Sequence, residues 1–513
     1  MARWAGGSRL PWKGWLPFAL AVLVIALPAP AGLPLHAWRY FAVFMGVLAA
    51  LVLEPIPNAA VGLVGVATCL AFSRWVLFGP DELARPGFDP TARSLAWALS
   101  GFQNPAVWLA FAAFLFGLGY ERTTLGRRVA LQVVRLLGRS TLRLGYAVAM
   151  VDAVLAPFTP SNTARSAGIV YPVVRGIPPL YGSQPGEPSA RRIGSYLLWT
   201  AFASSCVTST LFLTALAPNV IAVDMIRRSV GVEIGWLRWL GSAAPFAIPL
   251  LLALPLLGFL LCPPGLRASP EVPPWAAGEL RRLGPVSRRE VVFSLLLVAA
   301  LGLWILGGAF IHPTAVALAV MALMLLARVV TWQEMISHAP AWDMLVRLSL
   351  LVTMADGLFR TGFVGWFAHG VGRMLSGLPP TACVAALVAA YFASHYLFAT
   401  TTAHVTAVLP VMLEVGHAVP GLPMVPFATL LALSHGLMGV LSPYATGPAP
   451  VYHGSGYLPT ATFWRLGAIF GAVFLAALLS LGMPAVLAMA EAGAAQTHAL
   501  FITSPRPPAP GTM

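Results

Sequence analysis

The chain has 513 residues, of which 58% are hydrophobic and only 9% charged, and its mean hydropathy is +0.81. A water-soluble domain carries roughly 25% charged residues to keep its surface wet, so a soluble globule of this size is excluded and most of the surface must face lipid. The net charge of +14 rests on Lys13 and on arginines clustered between apolar runs, the pattern of cytoplasmic loops rather than of a nucleic-acid footprint.

Each spanning helix needs about 20 apolar residues, and about eleven stretches qualify, which predicts an all-α polytopic membrane protein. Arg3, Arg9 and Lys13 precede an apolar run from Trp15 to about Leu27. Proline-rich residues 28–34 and the spans that follow at once favour an uncleaved first span, in an N-terminal unit 1–34 with a cytoplasmic start, over a signal peptide. Spans are expected near 15–30, 38–54 and 57–79, then a polar connection over 80–93 and a span near 105–120. The stretch 121–139 holds Arg122, Arg127, Arg128, Arg135 and Arg139, and its alternation with Val129, Leu131, Val133, Val134 and Leu136 suits a helix lying at the interface.

Residues 142–157 and 164–176 are each too short to span, and a polar, proline-containing break over 158–163 separates them. Two short limbs with a polar tip describe a re-entrant hairpin, tolerated where its backbone lines a protein cavity or water. The stretch 193–226 reads as a span interrupted at 215–219, and another span runs near 243–262. Residues 35–262 thus form one half. The segment 263–290 carries six prolines and Arg281, Arg282, Arg288 and Arg289, and reads as a cytoplasmic linker.

The second half, 291–490, repeats the plan: spans near 291–310, 313–330 and 342–358, and an amphipathic stretch at 361–377. A hairpin-like pair at 381–398 and 403–416 is broken at 399–402, a span near 425–441 is interrupted at 442–450, and a last span covers about 463–488 before a tail from 491 to 513. The repeat is visible residue by residue. The segment from Thr159 to Arg165 answers that from Phe398 to His404, both ending in Thr-Ala and a cationic or potentially cationic residue, with Pro172 and Pro410 following. Ala215 to Asn219 likewise answers Ala445 to Pro450. Matched broken segments in two halves are the sequence pointer to a carrier's binding site, although either polar tip alone would pass for an ordinary loop.

A carboxylate taken out of water needs hydroxyls, amides and free backbone N–H groups, and helix starts supply these with a favourable partial charge. Ser161, Asn162 and Thr163 stand at one tip, and Thr400, Thr401 and Thr402 at the other. Such residues also cap helices, and a start facing a cavity does both. Arg165 and His404 each lie two positions past the tip threonine. A buried arginine is either paired or functional; its fork suits a carboxylate, and Asp152 is the candidate partner if its role is structural. His404 is either a hydrogen-bonded core residue or a cation that makes recognition depend on pH. Asp152 and Asp356 read as structural rather than ion-coupling residues. Cys69, Cys206, Cys262 and Cys383 are scattered without metal or disulfide spacing. Ser455 lacks the nucleophile-elbow spacing, and no catalytic constellation or metal-ligand set is found, so neither an enzyme nor a bound cofactor is expected.

The segments TPSNTARSAGIVYPVV (from Thr159), TTAHVTAVLPVM (from Thr401) and SPYATGPAPVYHGSGY (from Ser442) resemble the divalent anion/sodium symporter (DASS) family, in its citrate:succinate antiporter and plastid 2-oxoglutarate/malate translocator branch. The resemblance covers most of the chain from about residue 35 and implies two inverted repeats, two opposed re-entrant hairpins, a homodimer in the inner membrane and elevator-type movement. It implies that Ser161, Asn162, Thr163, Thr400, Thr401 and Thr402 bind substrate carboxylate, that the broken spans at Pro218, Asn219, Thr446, Gly447 and Pro448 complete the cavity, and that sodium sites lie near Asn162 and Thr401. Thr401 stands where the family's motif has asparagine, which with Arg165 and His404 nearby weakens the case for sodium. The expected function is exchange of small di- or tricarboxylates (citrate, malate, succinate, 2-oxoglutarate or tartrate); sodium-coupled symport is the runner-up, and an anion channel or membrane enzyme a distant third.

Overall fold

The structure, a computed structural model, describes residues 11–492 apart from 308, 309 and 376. Arg3, Arg9 and all but the start of the expected tail lie outside the described residues. Those described are almost wholly helical; the single β-type pairing among them is an isolated bridge between Ser140 and Ala268. In lipid every backbone polar group must be satisfied within its own segment, which selects helices.

The first half opens with α1 (Pro11–Ala26), α2 (Leu35–Leu53) and α3 (Asn58–Ala71). The expected polar connection is itself helical, with Pro90–Leu99 capped by the Asp89 carboxylate, which accepts from Thr91 and Ala92 N–H. Next come α4 (Pro105–Thr123) and the amphipathic α5 (Leu125–Leu137), joined at Thr124 in the left-handed region (φ 54). Helix α6 (Thr141–Leu155) descends to the first tip, and the chain returns through a π-helical stretch, Thr163–Val170, and Tyr171–Arg175. Helices α7 (Gly194–Leu211) and α8 (Ala217–Val230) form the broken span, followed by α9 (Trp236–Leu261).

The linker contains a helix, α10 (Val272–Arg282), packed on α5. Arg127 pairs with Glu279 at 2.6 Å and Arg128 with Glu290 at 3.1 Å, so the two arginine-rich segments are stitched together by the few carboxylates between them. The second half comprises α11 (Arg288–Leu306), α12 (Pro313–Leu326), α13 (Ala339–Arg360) and the amphipathic α14 (Phe363–Leu375). It continues with the hairpin limbs α15 (Pro380–Ser394) and α16 (Thr401–Ala418), then α17 (Met424–Met438), a non-helical stretch, the short Ala449–Gly454 helix and α18 (Thr460–Ala477).

Six described helices are long and apolar enough to cross a membrane, or seven if Pro90–Gln103 and Pro105–Thr123, bent by 41°, form one span. Four more apolar helices, including Asn58–Ala71 and Met424–Met438, fall short of that length. Leu252, Leu256 and Leu260 of α9 and Leu295, Val298 and Leu306 of α11 face outward, as lipid-facing helices require. Inside lie two apolar cores. The larger holds the first hairpin, the broken spans and α9; the smaller is built from α2, α3 and one face of α13. The second hairpin straddles both: Phe398 and Ala407 belong to the smaller core, Val405 and Leu409 to the larger.

Candidate functional site

The first tip begins where Pro157 and Pro160 stop α6, since proline lacks the N–H that a continuing helix needs. The return limb starts with a side-chain cap: Ser161 Oγ accepts from Ala164 N–H at 3.2 Å. The second tip is built alike, Thr400 Oγ1 accepting from Ala403 N–H at 3.2 Å. Each tip therefore leads into a helix start capped by its own hydroxyl side chain.

Both tips converge on one non-helical stretch. Asn162 Nδ2 donates to Thr446 Oγ1 at 2.7 Å. Thr163 Oγ1 lies directly against Gly447, where a Cβ would run into it. From the other side, Thr401 Oγ1 donates to the Ala445 carbonyl at 3.4 Å. Ser161, Asn162, Thr401, Thr402 and Thr446 are buried, whereas Thr163 and Gly447 are exposed and form the accessible surface of this junction. Of the expected site residues, those from the two tips and from 445–447 are thus brought together.

The first broken span is placed differently from expectation. Its break falls between α7 and α8, at 212–216, and Pro218 and Asn219 belong to the first turn of α8. Proline is suited to a first helical turn. Asn219 reaches back, its Nδ2 donating to the carbonyls of Ser209 (2.8 Å) and Phe212 (3.3 Å), which the break would otherwise orphan. Pro448 likewise sits just before the Ala449–Gly454 helix. The two broken spans cross where Gly436 of α17 meets α7; a Cβ there would lie 2.6 Å from the Cys206 carbonyl oxygen.

Arg165 has no solvent exposure and commits every donor internally. Nε meets Asp152 Oδ2 at 3.1 Å; Nη1 reaches the carbonyls of Thr159 (3.1 Å) and Ala215 (2.9 Å); Nη2 reaches Thr208 Oγ1 (3.4 Å) and Ser209 Oγ (2.9 Å). Thr208 also donates to Asp152 Oδ2. The pairing with Asp152 named as the structural alternative is therefore present, and in this arrangement the guanidinium ties tip, first limb and first break together without a donor left over. A buried ion pair holds when its geometry is good and its other donors are satisfied.

His404 is equally buried, but its surroundings are neutral. Its Nε2 lies 2.8 Å from Ser394 Oγ, whose own hydrogen goes to the Tyr391 carbonyl at 2.8 Å, so His404 is the donor. His395 Nε2 lies 2.8 Å from the Ala445 carbonyl, which can only accept. His435 Nε2 lies 2.9 Å from Tyr391 Oη. All three imidazoles have a buried Nδ1 without a protein partner. The ring centroids of His395 and His404 are 5.0 Å apart, and those of Tyr391 and His404 4.4 Å. His395 and His435, missed in the sequence reading, are brought to His404 by three different elements.

Among the described residues, no group of three or more His, Cys, Asp or Glu is placed to hold a metal ion. Near the expected sodium positions, the carbonyls of Thr159, Ala215 and Ala445 already accept from Arg165 or His395.

The fold and site define a polytopic membrane protein whose interior holds two capped hairpin tips against a broken span. The sequence profile of the sodium:sulfate symporter transmembrane region matches residues 8–489, and the chain belongs to this family, the one its tip and broken-span motifs resemble. It is similar to the L-tartrate/succinate antiporter of Escherichia coli (strain K12), 47% identical over 479 residues that cover 93% of this chain and 98% of the relative. L-tartrate/succinate antiporters of Shigella sonnei (strain Ss046) and Shigella flexneri are 46% identical over the same lengths.

Proposed function

We propose that this protein exchanges one small dicarboxylate for another, of the tartrate and succinate class, across the cell inner membrane. The observation that carries the reading is the convergence of both tips on 445–447, through Asn162–Thr446 and Thr401–Ala445. Capped helix starts and hydroxyls around one junction offer a desolvated dianion the donors it needs, and relatives alike over almost their whole length are named as antiporters of such anions. The anion contacts are Ser161, Asn162, Thr163, Thr400, Thr401 and Thr402 with Thr446, Gly447 and Pro448. Arg165, neutralised by Asp152, acts as the clamp that sets the first tip rather than as a direct ligand, because its donors are all engaged.

Exchange without sodium is the coupling this arrangement favours. The cost of moving a dianion through low dielectric must be offset, and the carbonyls that would bind a cation face protein donors instead. No covalent step is assigned, and the protein acts as a carrier rather than an enzyme. The two halves work as inverted repeats of an elevator in a homodimer whose N-terminus is cytoplasmic, a reading supported by the matched caps and by a second hairpin lodged between two cores.

The test is uptake of labelled L-tartrate into proteoliposomes loaded with succinate or left empty, with and without sodium. Uptake only into loaded vesicles, unchanged by sodium, is expected. Uptake into empty vesicles driven by sodium would overturn exchange in favour of symport.

A further inference from the structure

Arg347, on α13, was not singled out by any motif and is not part of the junction described above. Its side chain is only 20% exposed, and its Nε is buried without a hydrogen-bond partner. Its contacts are weak: Nη2 lies 3.7 Å from Met344 Sδ, and Nε lies 4.0 Å from Asp343, a carboxylate that is itself 46% exposed. Asn58, at the start of α3, lies beside it, and the group it could offer an anion is its amide donor, Nδ2. Its Nδ2 makes a long bond, 3.4 Å, to Glu54, and its Oδ1 is buried and unpartnered.

These two residues stand at one constriction. On one side is an open cleft of about 380 Å³, lined by Glu54, Asn58, Asp343 and Arg347 with three residues of the turn between α2 and α3. On the other is a narrow pocket of about 10 Å³ lined by Asn58, Arg347 and the second tip, including Ala399, Thr400 and Thr402. Arg347 and Asn58 are the polar residues that line both. The inner pocket holds about one water at most, and the underused guanidinium lines both it and the open cleft. Cleaving an exposed ion pair costs little, whereas a guanidinium meeting a carboxylate in a sheltered site gains a charge-assisted bond.

We propose that Arg347, with Asn58, is an antechamber site for a substrate carboxylate, the station at which a dicarboxylate is held before or after it engages the threonines of the second tip. Asp343 is the resting counter-ion: it neutralises Arg347 when the station is empty and competes with the anion, so that binding stays weak enough for release. Glu54 occupies the Asn58 amide donor through a long bond at rest, and the arriving carboxylate competes for that donor. The inference rests on the exchange reading above.

The test is dicarboxylate exchange in vesicles of known sidedness. Arg347→Gln should raise the half-saturating concentration by about tenfold or more, the loss of one bond to a charged group, for substrate offered on the cleft side only. Arg347→Lys should recover part of it, and Asp343→Asn should shift the same constant the other way. The maximal rate should stay within about threefold in all three, as expected when uniform binding is removed. Equal constants in wild type and Arg347→Gln, or a rise of similar size on both faces, would overturn the antechamber. Absence of exchange in the wild type would instead overturn the function proposed above.

Discussion

In the first hairpin the residue two places past the tip threonine is Arg165, and thirteen residues before it stands Asp152; in the second, His404 holds that place and Tyr391 stands thirteen before. The caps match as well, Ser161 in one and Thr400 in the other, both closing on the N–H three residues on at 3.2 Å. The bracing does not. Behind the first tip is a permanent ion pair whose five donors are all used; behind the second are three imidazoles and a phenol, with each imidazole Nδ1 idle. Two tips of one design thus have different electrostatics: one is braced by a buried ion pair, the other by neutral side chains. The first is anchored by charge and the second is not.

The sharpest break in this comparison is to remove one charge of the anchor. Arg165→Gln leaves Asp152 buried and uncompensated, and an unpaired charge in such a site costs about 3–5 kcal/mol. Thermal unfolding in detergent should show a large loss for Arg165→Gln and for Asp152→Asn singly, with much of it recovered in the double variant. The matching change in the second hairpin, Tyr391→Phe, removes no charge and should cost far less. Equal losses in the two hairpins would mean that their bracing is equivalent after all.

Next in size is the contact between the first tip and the second broken span. Gly447 leaves room for Thr163 Oγ1, and a methyl group there would overlap it. Gly447→Ala should cost about 1–3 kcal/mol through overpacking and abolish most exchange. Adding Thr163→Ala should restore stability but not affinity, because Thr163 is also a proposed ligand. If the double variant regains wild-type affinity, Thr163 is a spacer and not a contact.

Much of this was legible before any fold was known. The apolar helices fall close to where the apolar runs placed them, because lipid forces long apolar segments; six or seven of the described helices, against about eleven expected, are long enough to cross, and Thr141–Phe158, read as a limb too short to span, is one of them. The first break was read a few residues late: Pro218 and Asn219 look like breakers in sequence, but proline suits a first turn and Asn219 caps the preceding helix end. Asp152 could be named as a partner for Arg165 because it is a rare charge in an apolar run. Thr208 and Ser209 could not, since α7 reads as one more apolar span sprinkled with small hydroxyls. The histidine cluster was illegible for another reason: His395, His404 and His435 come from a tip, its return limb and a broken span, and only packing makes them neighbours. The helix within the linker was hidden by prolines that turn out to stand at its start, Pro273 and Pro274.

The second hairpin's neutral brace gives a smaller effect. His404 and His395 present Nε2 to neutral partners, Ser394 Oγ and the Ala445 carbonyl. His404→Gln keeps a donor and removes no charge, so it should cost about 1 kcal/mol of stability, the worth of one neutral hydrogen bond, and shift the half-saturating concentration for succinate by less than about threefold. A loss as large as that of Arg165→Gln would mean that the second hairpin depends on its brace as heavily as the first.

The caps should give the smallest and most even effect. Replacing a Ser or Thr cap by Ala costs about 1 kcal/mol, and the two tips have the same cap geometry despite their different braces. Ser161→Ala and Thr400→Ala should therefore lower stability by similar amounts. Their effects on transport should differ in kind. At the first tip the Arg165 clamp holds the limb in register whether or not the cap is present, so Ser161→Ala should weaken binding with little change in maximal rate. At the second tip no charge holds the limb, and Thr400 also lines the pocket that Arg347 faces, so its loss should lower affinity and rate together. If Ser161→Ala proves the more damaging to rate, the first hairpin is not the rigid one, and the division between a charge-braced and a neutrally braced tip is wrong.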